Sequence, residues 1–366
     1  MKIASYIGLL AFCFGTLFQS CDQKKGEEEN TGLKENHAEL KLQTVSYEHV
    51  FEEDRPFAEC HASTITGLGD ANYLLAWFAG SHEKHDDVGI WTAKGKPGNW
   101  SAPKLLVKVR NDPHWNPVLF NAPDGKVYLY FKVGKEIDDW ETWVQYTEDG
   151  GETWSEAREL VPGDKGGRGP VRNHMLVLSN GTWLAPASVE DNRVWDVFID
   201  RSEDEGKTWE ATDKLELDRN IITGEGVIQP ALWESQPGHV HMLMRSSSGK
   251  ICRSDSEDYG KTWSKIEETD LPNNNSGIDV AHIGGEKVAV IYNPVAENWG
   301  KRYPITVALS TDNGKTWPLK YDIEKGENEE DELSYPAMFY EEGNLVACYT
   351  WNRQRVAFWK GKLDGI

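Results

Sequence analysis

Apolar positions along the chain come in short runs separated by turns. Lys126–Phe131, Val240–Met244 and Lys287–Tyr292 each hold a few β-branched, aromatic and other apolar side chains. The dipeptides Asp124-Gly125, Asn180-Gly181, Gly284-Gly285 and Gly343-Asn344 punctuate the sequence between such runs. Short strands at even spacing with turns of this kind predict an all-β domain. Stretches with the 3.6-residue stripe of a long amphipathic helix are absent. The last two strands are expected at Leu345–Trp351 and Arg355–Leu363.

The strands are organised by a repeat of the form [Ser/Thr]-x-Asp-x-Gly-x-Thr-Trp. It occurs four times, at Thr147–Trp154, Ser202–Trp209, Ser256–Trp263 and Ser310–Trp317, and the tryptophans are 55, 54 and 54 residues apart. Trp100, in a degenerate copy, lies 54 residues before Trp154. A fixed period of this size signals repeat architecture. Six periods fit between Leu42 and Ile366, and about four strands per period makes each a propeller blade. The expectation is therefore an all-β, six-bladed β-propeller. Closing the ring removes the exposed edge of an open array, and the first blade is expected to borrow an outer strand from the opposite terminus.

Within the motif, Asp is expected to accept hydrogen bonds from backbone N–H groups just downstream. Gly supplies a positive φ, Thr returns the chain to β geometry, and Trp packs the turn on the sheet, worth about 1.5–3 kcal/mol if fully buried. These are folding elements.

In such a ring the starts of the innermost strands converge on the axis. That phase of the repeat reads His61, Asn116, Arg172 with Asn173, Gln229, Asp279 and Tyr335, all polar where a packed strand would begin apolar. A solvent-facing site is the expectation. The loops between the second and third strands add a second ring: Glu83, Asp86 and Asp87, then Lys132, Glu190, Arg245 and Arg302. Arg172, Arg245 and Arg302 fall on successive blades and are placed to hold one carboxylate from three sides, with charge-assisted bonds worth roughly 1.5–3 kcal/mol each.

Composition changes the picture in four ways. The start of the chain, Met1-Lys2 followed by a largely apolar run to Phe18 and then Cys21, reads as a signal peptide over residues 1–20 and resembles a bacterial lipoprotein signal. Cys21 would be the lipidated residue, with the protein exported and anchored in the outer membrane. Residues 21–46 are polar and acidic, a flexible tether before a domain at 47–366. The formal net charge of −21 argues against a nucleic-acid partner. Cys60, Cys252 and Cys348 show neither a disulfide framework nor zinc spacing and are expected to be buried thiols. No metal or cofactor is implied, and a monomer is expected. Of the 16 tryptophans, Trp115, Trp195, Trp299 and Trp351 are candidates for a sugar subsite and the rest for core.

The repeats resemble the Asp boxes of the sialidase (neuraminidase) superfamily over roughly residues 50–366. That resemblance implies a six-bladed propeller with the boxes on the face away from the active site. Arg245, in Met242–Arg245, and Arg302, before Tyr303-Pro304, match family arginines. Tyr335, in Leu333–Pro336, matches the family nucleophile, and Asp87 or Asp86 the family acid/base. A phenol with a pKa of about 10 needs a neighbouring base to attack. Two positions depart from the pattern. His61 stands where the family has its first Arg, and Gln229 stands where the carboxylate partner of the tyrosine falls, so Glu225, Asp279 or Glu332 would have to substitute. The resemblance implies an exo-acting glycoside hydrolase removing a terminal acidic sugar, sialic acid or similar, from a glycan. In this reading Tyr335, Asp87, His61, Glu225 and Asp279 are catalytic candidates, and Arg172, Arg245, Arg302, Asn116, Gln229 and Glu83 bind substrate. The alternatives are a glycosidase for a rhamnose- or uronate-capped glycan with His61 as acid/base, and a non-catalytic glycan-binding propeller.

Overall fold

The computed structural model describes residues 40–365. The signal peptide, Cys21 and most of the tether lie outside the described residues. Six antiparallel sheets of four or five strands form a six-bladed β-propeller. Blade 1 runs through Glu59–Gly69, Asn72–Gly80 and Gly89–Lys96, with Asn99–Trp100 and Lys104–Val107 at its edge. Blade 2 holds His114–Asn121, Val127–Val133, Glu141–Thr147 and Arg158–Glu159. Blade 3 holds Leu176–Val177, Trp183–Asp191, Val194–Ser202 and Glu210–Ala211. Blade 4 holds Val227–Gln236, His239–Ser246, Lys250–Ser256 and Glu267–Pro272. Blade 5 holds Asp279–Gly284, Lys287–Tyr292, Ile305–Ser310 and Leu319–Glu324. Blade 6 holds Leu333–Glu341, Asn344–Trp351 and Arg355–Asp364.

The ring closes on the last blade, not the first. Lys41–His49 pairs antiparallel with Arg355–Asp364, from Lys41 opposite Asp364 to His49 opposite Ala357. The domain therefore begins near residue 41, and residues 41–46, assigned to the tether on composition, form part of an outer strand. Half the side chains of an outer strand face water, so its sequence reads as polar.

Six apolar clusters fill the seams, one between each pair of neighbouring blades. The two-residue alternation of a strand makes this possible. In Asn72–Gly80, Leu74, Ala76 and Phe78 face blade 2 while Tyr73, Leu75 and Trp77 face blade 6. Strands buried on both faces carry nearly continuous apolar runs.

The repeated motif forms the turn between the third and fourth strands of blades 2 to 5. Its first residue does more than the sequence suggested. The Ser310 hydroxyl donates to Asp312 Oδ1 (2.7 Å) and accepts from Gly314 N–H (2.8 Å). Asp312 also accepts from Thr316 N–H and Oγ1. The same bonds recur at Thr147, Ser202 and Ser256. The desolvating surroundings of Asp312 push its carboxyl up, but these donors outweigh them and hold it at about 2.

Two features prepare the axis. First, four inner strands carry a bulge at one phase, between His61 and Thr64, Trp115 and Val118, Ile228 and Ala231, and Ser334 and Ala337. Ala62, Asn116, Gln229 and Tyr335 adopt positive φ there, the last three directly before a proline. An L residue in this region is strained by about 1–3 kcal/mol, and such residues cluster at functional sites. Second, the inner strand of blade 3 is only two residues long, and the residues before it cross the channel instead. Arg172 donates to the carbonyls of Tyr335 and Pro336 in blade 6, and Asn173 to those of Gln229 and Pro230 in blade 4. His174 bridges Asp279 in blade 5 (3.0 Å) and the Ile65 carbonyl in blade 1 (3.0 Å).

Candidate active site

Above this polar axle, Tyr335 sits part-buried at the mouth of the channel. Arg245, at the end of the second strand of blade 4, donates from Nη1 to the Tyr335 hydroxyl (2.7 Å) and to Gln229 Oε1 (3.3 Å), and from Nε to Asn275 Oδ1 (2.8 Å). Its guanidinium lies 5.4 Å from the Trp195 ring and 5.6 Å from that of Trp299. Aromatic faces on a guanidinium hold it in place without neutralising it.

A second set of charges stands beside the same ring. Arg302 lies 5.6 Å from the Tyr335 ring and donates to Glu332 Oε1 (2.6 Å). Arg353, in the tight turn between the second and third strands of blade 6, donates to Glu332 Oε2 (3.0 Å) and to Glu83. Burial pushes the Glu332 carboxyl up, but Arg302 and Arg353 outweigh it and hold it below the usual range. His61 packs on the tyrosine, ring centroids 4.2 Å apart, and its Nδ1 lies 3.0 Å from Thr350 Oγ1. Burial, then the fields of Arg353, Arg302, Arg172 and Arg245, depress its basicity well below the ordinary histidine value, so it is neutral at physiological pH. The cluster is thus a tyrosine with a neutral imidazole at its side and the guanidinium groups of Arg245, Arg302 and Arg353 around it.

A family model described as "BNR repeat-like domain" matches residues 72–348, about three quarters of the chain. The chain belongs to this family. A sialidase of Paraclostridium sordellii is 28% identical over 181 residues, 40% of this chain and 44% of that protein, so the chain spans less than half the relative's length. Among solved structures, the Hadza microbial sialidase Hz136 superposes with a TM-score of 0.74 at 15% identity, covering 87% of this chain and 69% of that one. A Dyadobacter fermentans protein of unknown function superposes with a TM-score of 0.70 at 15% identity, covering 88% of this chain and 99% of that one. At such identities the superpositions establish the shared propeller.

On this BNR-type propeller, all the in-phase residues reach the axis, but they divide into two groups. His61, Gln229 and Tyr335 gather with Arg245 and Arg302 at the mouth. Arg172, Asn173 and Asp279 are engaged in bonds between blades. Burial does not separate the groups: His61, Gln229 and Arg245 are as buried as Asn116, so the solvent-facing site expected of this phase is largely enclosed. Arg172 therefore supports Tyr335 from below, its guanidinium 5.5 Å from the ring, and does not join the carboxylate clamp expected of it. Asp279 is held by His174 and by the N–H groups of Val280 and Met338, away from the tyrosine hydroxyl. Glu225 pairs with the exposed Arg193 (2.7 Å). Glu83 is engaged by Arg353. Asp87 caps its own loop, accepting from Ser81 N–H and Oγ with His85 at 2.9 Å, and Asp86 lies 3.4 Å from Lys135. Among the described residues, no carboxylate is within hydrogen-bond distance of the Tyr335 hydroxyl.

Of the aromatic candidates, Trp115 belongs to the seam between blades 1 and 2. Trp351 is bound to Glu324 and packs on His49 beneath the closing strand. Trp195 and Trp299 both pack on Arg245, but Trp195 is buried and only Trp299, 59% exposed, offers a face to solvent. Cys60, Cys252 and Cys348 are buried free thiols. Arg353 was missed by the sequence reading. Its turn lies at the same phase as Arg245 and Arg302, so carrying the second ring on to the sixth blade would have found it.

Proposed function

We propose that the chain is an exo-acting glycoside hydrolase of the sialidase type that removes a terminal acidic sugar from a glycan. The observation that carries this reading is the Tyr335 hydroxyl held by Arg245, with Arg302 and Arg353 beside it. Arg245, Arg302 and Arg353 take the substrate carboxylate, and Tyr335 attacks the anomeric carbon. A neutral attacker avoids the repulsion an anionic one would meet from an anionic sugar. The phenol gives up its proton as it attacks, and Gln229 cannot accept one. His61 is the neighbouring group that can take it: burial is the larger cause of its low basicity, and a carboxylate bound among the guanidinium groups offsets the part that comes from their field.

One observation favours a second reading. The Tyr335 hydroxyl has Arg245 and no carboxylate as its partner, which fits a site where His61 is itself the acid/base on a rhamnose- or uronate-capped glycan. The propeller, incubated with an aryl sialoside and with a panel of host and plant glycans, separates the two. Sialic acid release that disappears in Tyr335→Phe supports the first. Activity on another sugar that survives Tyr335→Phe and disappears in His61→Ala supports the second. Binding by calorimetry without turnover leaves a glycan-binding propeller. The proposal extends to location: Cys21 carries the lipid that anchors the protein in the outer membrane, and Cys21→Ser should abolish incorporation of labelled fatty acid.

A further inference from the structure

Between blades 2 and 3 lies a cavity of about 410 Å³. Ile137, Trp140 and Val171 give it apolar walls, and Glu190 and Ser188 are among its polar lining. Glu190 ends the second strand of blade 3, directly opposite Trp195 in the antiparallel register. Cross-strand partners share a face of the sheet, and Trp195 is the ring on which Arg245 lies. Glu190 thus lines the cavity and also lies within the field of Arg245, the guanidinium that holds Tyr335. Among the described residues, no hydrogen bond or ion pair engages its carboxyl group.

Asp87, the acid/base implied by the sialidase resemblance, is in the opposite condition. Its oxygens are occupied by Ser81 and His85. Burial, the largest single cause, pushes it up, but those partners together outweigh burial and hold it below the usual carboxylate range. A carboxylate so held has no proton to give near neutral pH.

We propose that Glu190, not Asp87, is the general acid of this site and that the cavity beside it receives the leaving group. This rests on the hydrolase reading above. The anomeric carbon–oxygen bond breaks with its electron pair on the oxygen, which takes the Glu190 proton and departs as an alcohol. Water then displaces the Tyr335 oxygen from the anomeric carbon: the bond to Tyr335 breaks, the phenolate recovers its proton from His61, and the water's proton returns to the Glu190 carboxylate, so the cycle consumes one glycoside and one water. The electrostatics suit the role. Burial raises the Glu190 carboxyl above its ordinary value, Asp138 of blade 2 and Glu225 of blade 4 add to that, and Arg245 and Lys84 of blade 1 oppose it. Lys132, Lys165, Asp191 and Lys214 complete the charged lining of the cavity. A raised carboxyl in a partly apolar pocket is how a protein keeps an acid protonated.

The test compares Glu190→Gln and Asp87→Asn on two substrates. An activated aryl sialoside leaves without a proton, whereas a sialylated oligosaccharide leaves as a sugar alcohol that needs one. Glu190→Gln should lose about 100-fold or more in kcat on the oligosaccharide, change far less on the aryl substrate, and lose the basic limb of the pH profile. Equal losses on both substrates, no loss on either, or the leaving-group pattern in Asp87→Asn instead would overturn the assignment. A wild type that turns over neither substrate sinks the hydrolase reading. Infrared difference titration of wild type against Glu190→Gln then decides on Glu190. A carboxyl still protonated above the ordinary value of about 4.3 supports the assignment, and one ionised at or below it refutes it.

Discussion

Gln229 and Tyr335 accept hydrogen bonds from the same nitrogen, Nη1 of Arg245. Each reaches that point because its backbone is left-handed at the same phase of its blade. A neutral amide thus occupies the place from which a carboxylate would take the phenol proton. If deprotonation of Tyr335 limits turnover, Gln229→Glu should raise kcat on an aryl sialoside by about 100-fold, the lower end of the range of general-base effects. Tyr335→Phe in the same background should abolish that gain. An unchanged kcat in Gln229→Glu would mean that another group already serves as the base.

The Arg302–Glu332–Arg353 chain is anchored at 2.6 and 3.0 Å, and Glu332 is only 23% exposed. Its role in the proposed site is to space two guanidinium groups so that both meet one carboxylate. Arg353→Ala should raise KM for an acidic sugar by roughly 10–100-fold, the equivalent of one charge-assisted bond, with a smaller effect on kcat. A neutral sugar analogue lacking the carboxylate should show the same KM in both proteins. Measuring both substrates across the variant checks the assignment.

The fold was legible because its signals are local. A turn motif with Asp, Gly and Trp at fixed offsets repeats every 54 residues, and each copy needs only its own blade and its neighbour to form. The axis was legible in part, since phase brought His61, Gln229 and Tyr335 into one cluster. Phase cannot separate side chains that look outward from those that tie blades together. Arg172 and Asp279 carry the same charges as mouth residues, yet blade 3 shortens its inner strand to Leu176–Val177 and spends Arg172, Asn173 and His174 on cross-channel bonds. The closing strand failed for a different reason. An outer strand is half solvated, so Lys41–His49 has the composition of a tether, and only its pairing with Arg355–Asp364 distinguishes it.

Gly314 has two constraints at once. Its φ is +73°, and a Cβ there would come within 2.9 Å of Arg253 Nη1 and 3.2 Å of the Trp317 ring. Gly314→Ala should therefore destabilise by more than the roughly 1 kcal/mol of left-handed backbone strain alone. Gly343, at φ +80° with open space around it, is the control: Gly343→Ala meets strain without contact. Urea denaturation of the two variants should place Gly314→Ala clearly below Gly343→Ala, and equal losses would assign the whole effect to the backbone.

His174 makes stability fall with rising pH. Burial lowers its basicity, but Asp279 and the Ile65 carbonyl outweigh burial and raise its folded-state pKa above the ordinary value. A group raised in the folded state contributes its full stability below the unfolded value of about 6.5 and loses it as pH climbs through the folded value. Lys132 runs the other way. Burial lowers it to about 7, so the unfolded chain binds the extra proton above that pH and stability gains as pH rises. The raw pH profile mixes the two, and the difference between wild type and His174→Asn isolates the first. That difference in unfolding free energy, measured by urea titration at steps from about pH 5 to pH 9, should be largest at the acid end and shrink upward. A difference that stays flat would mean that His174 braces the channel as a neutral ring.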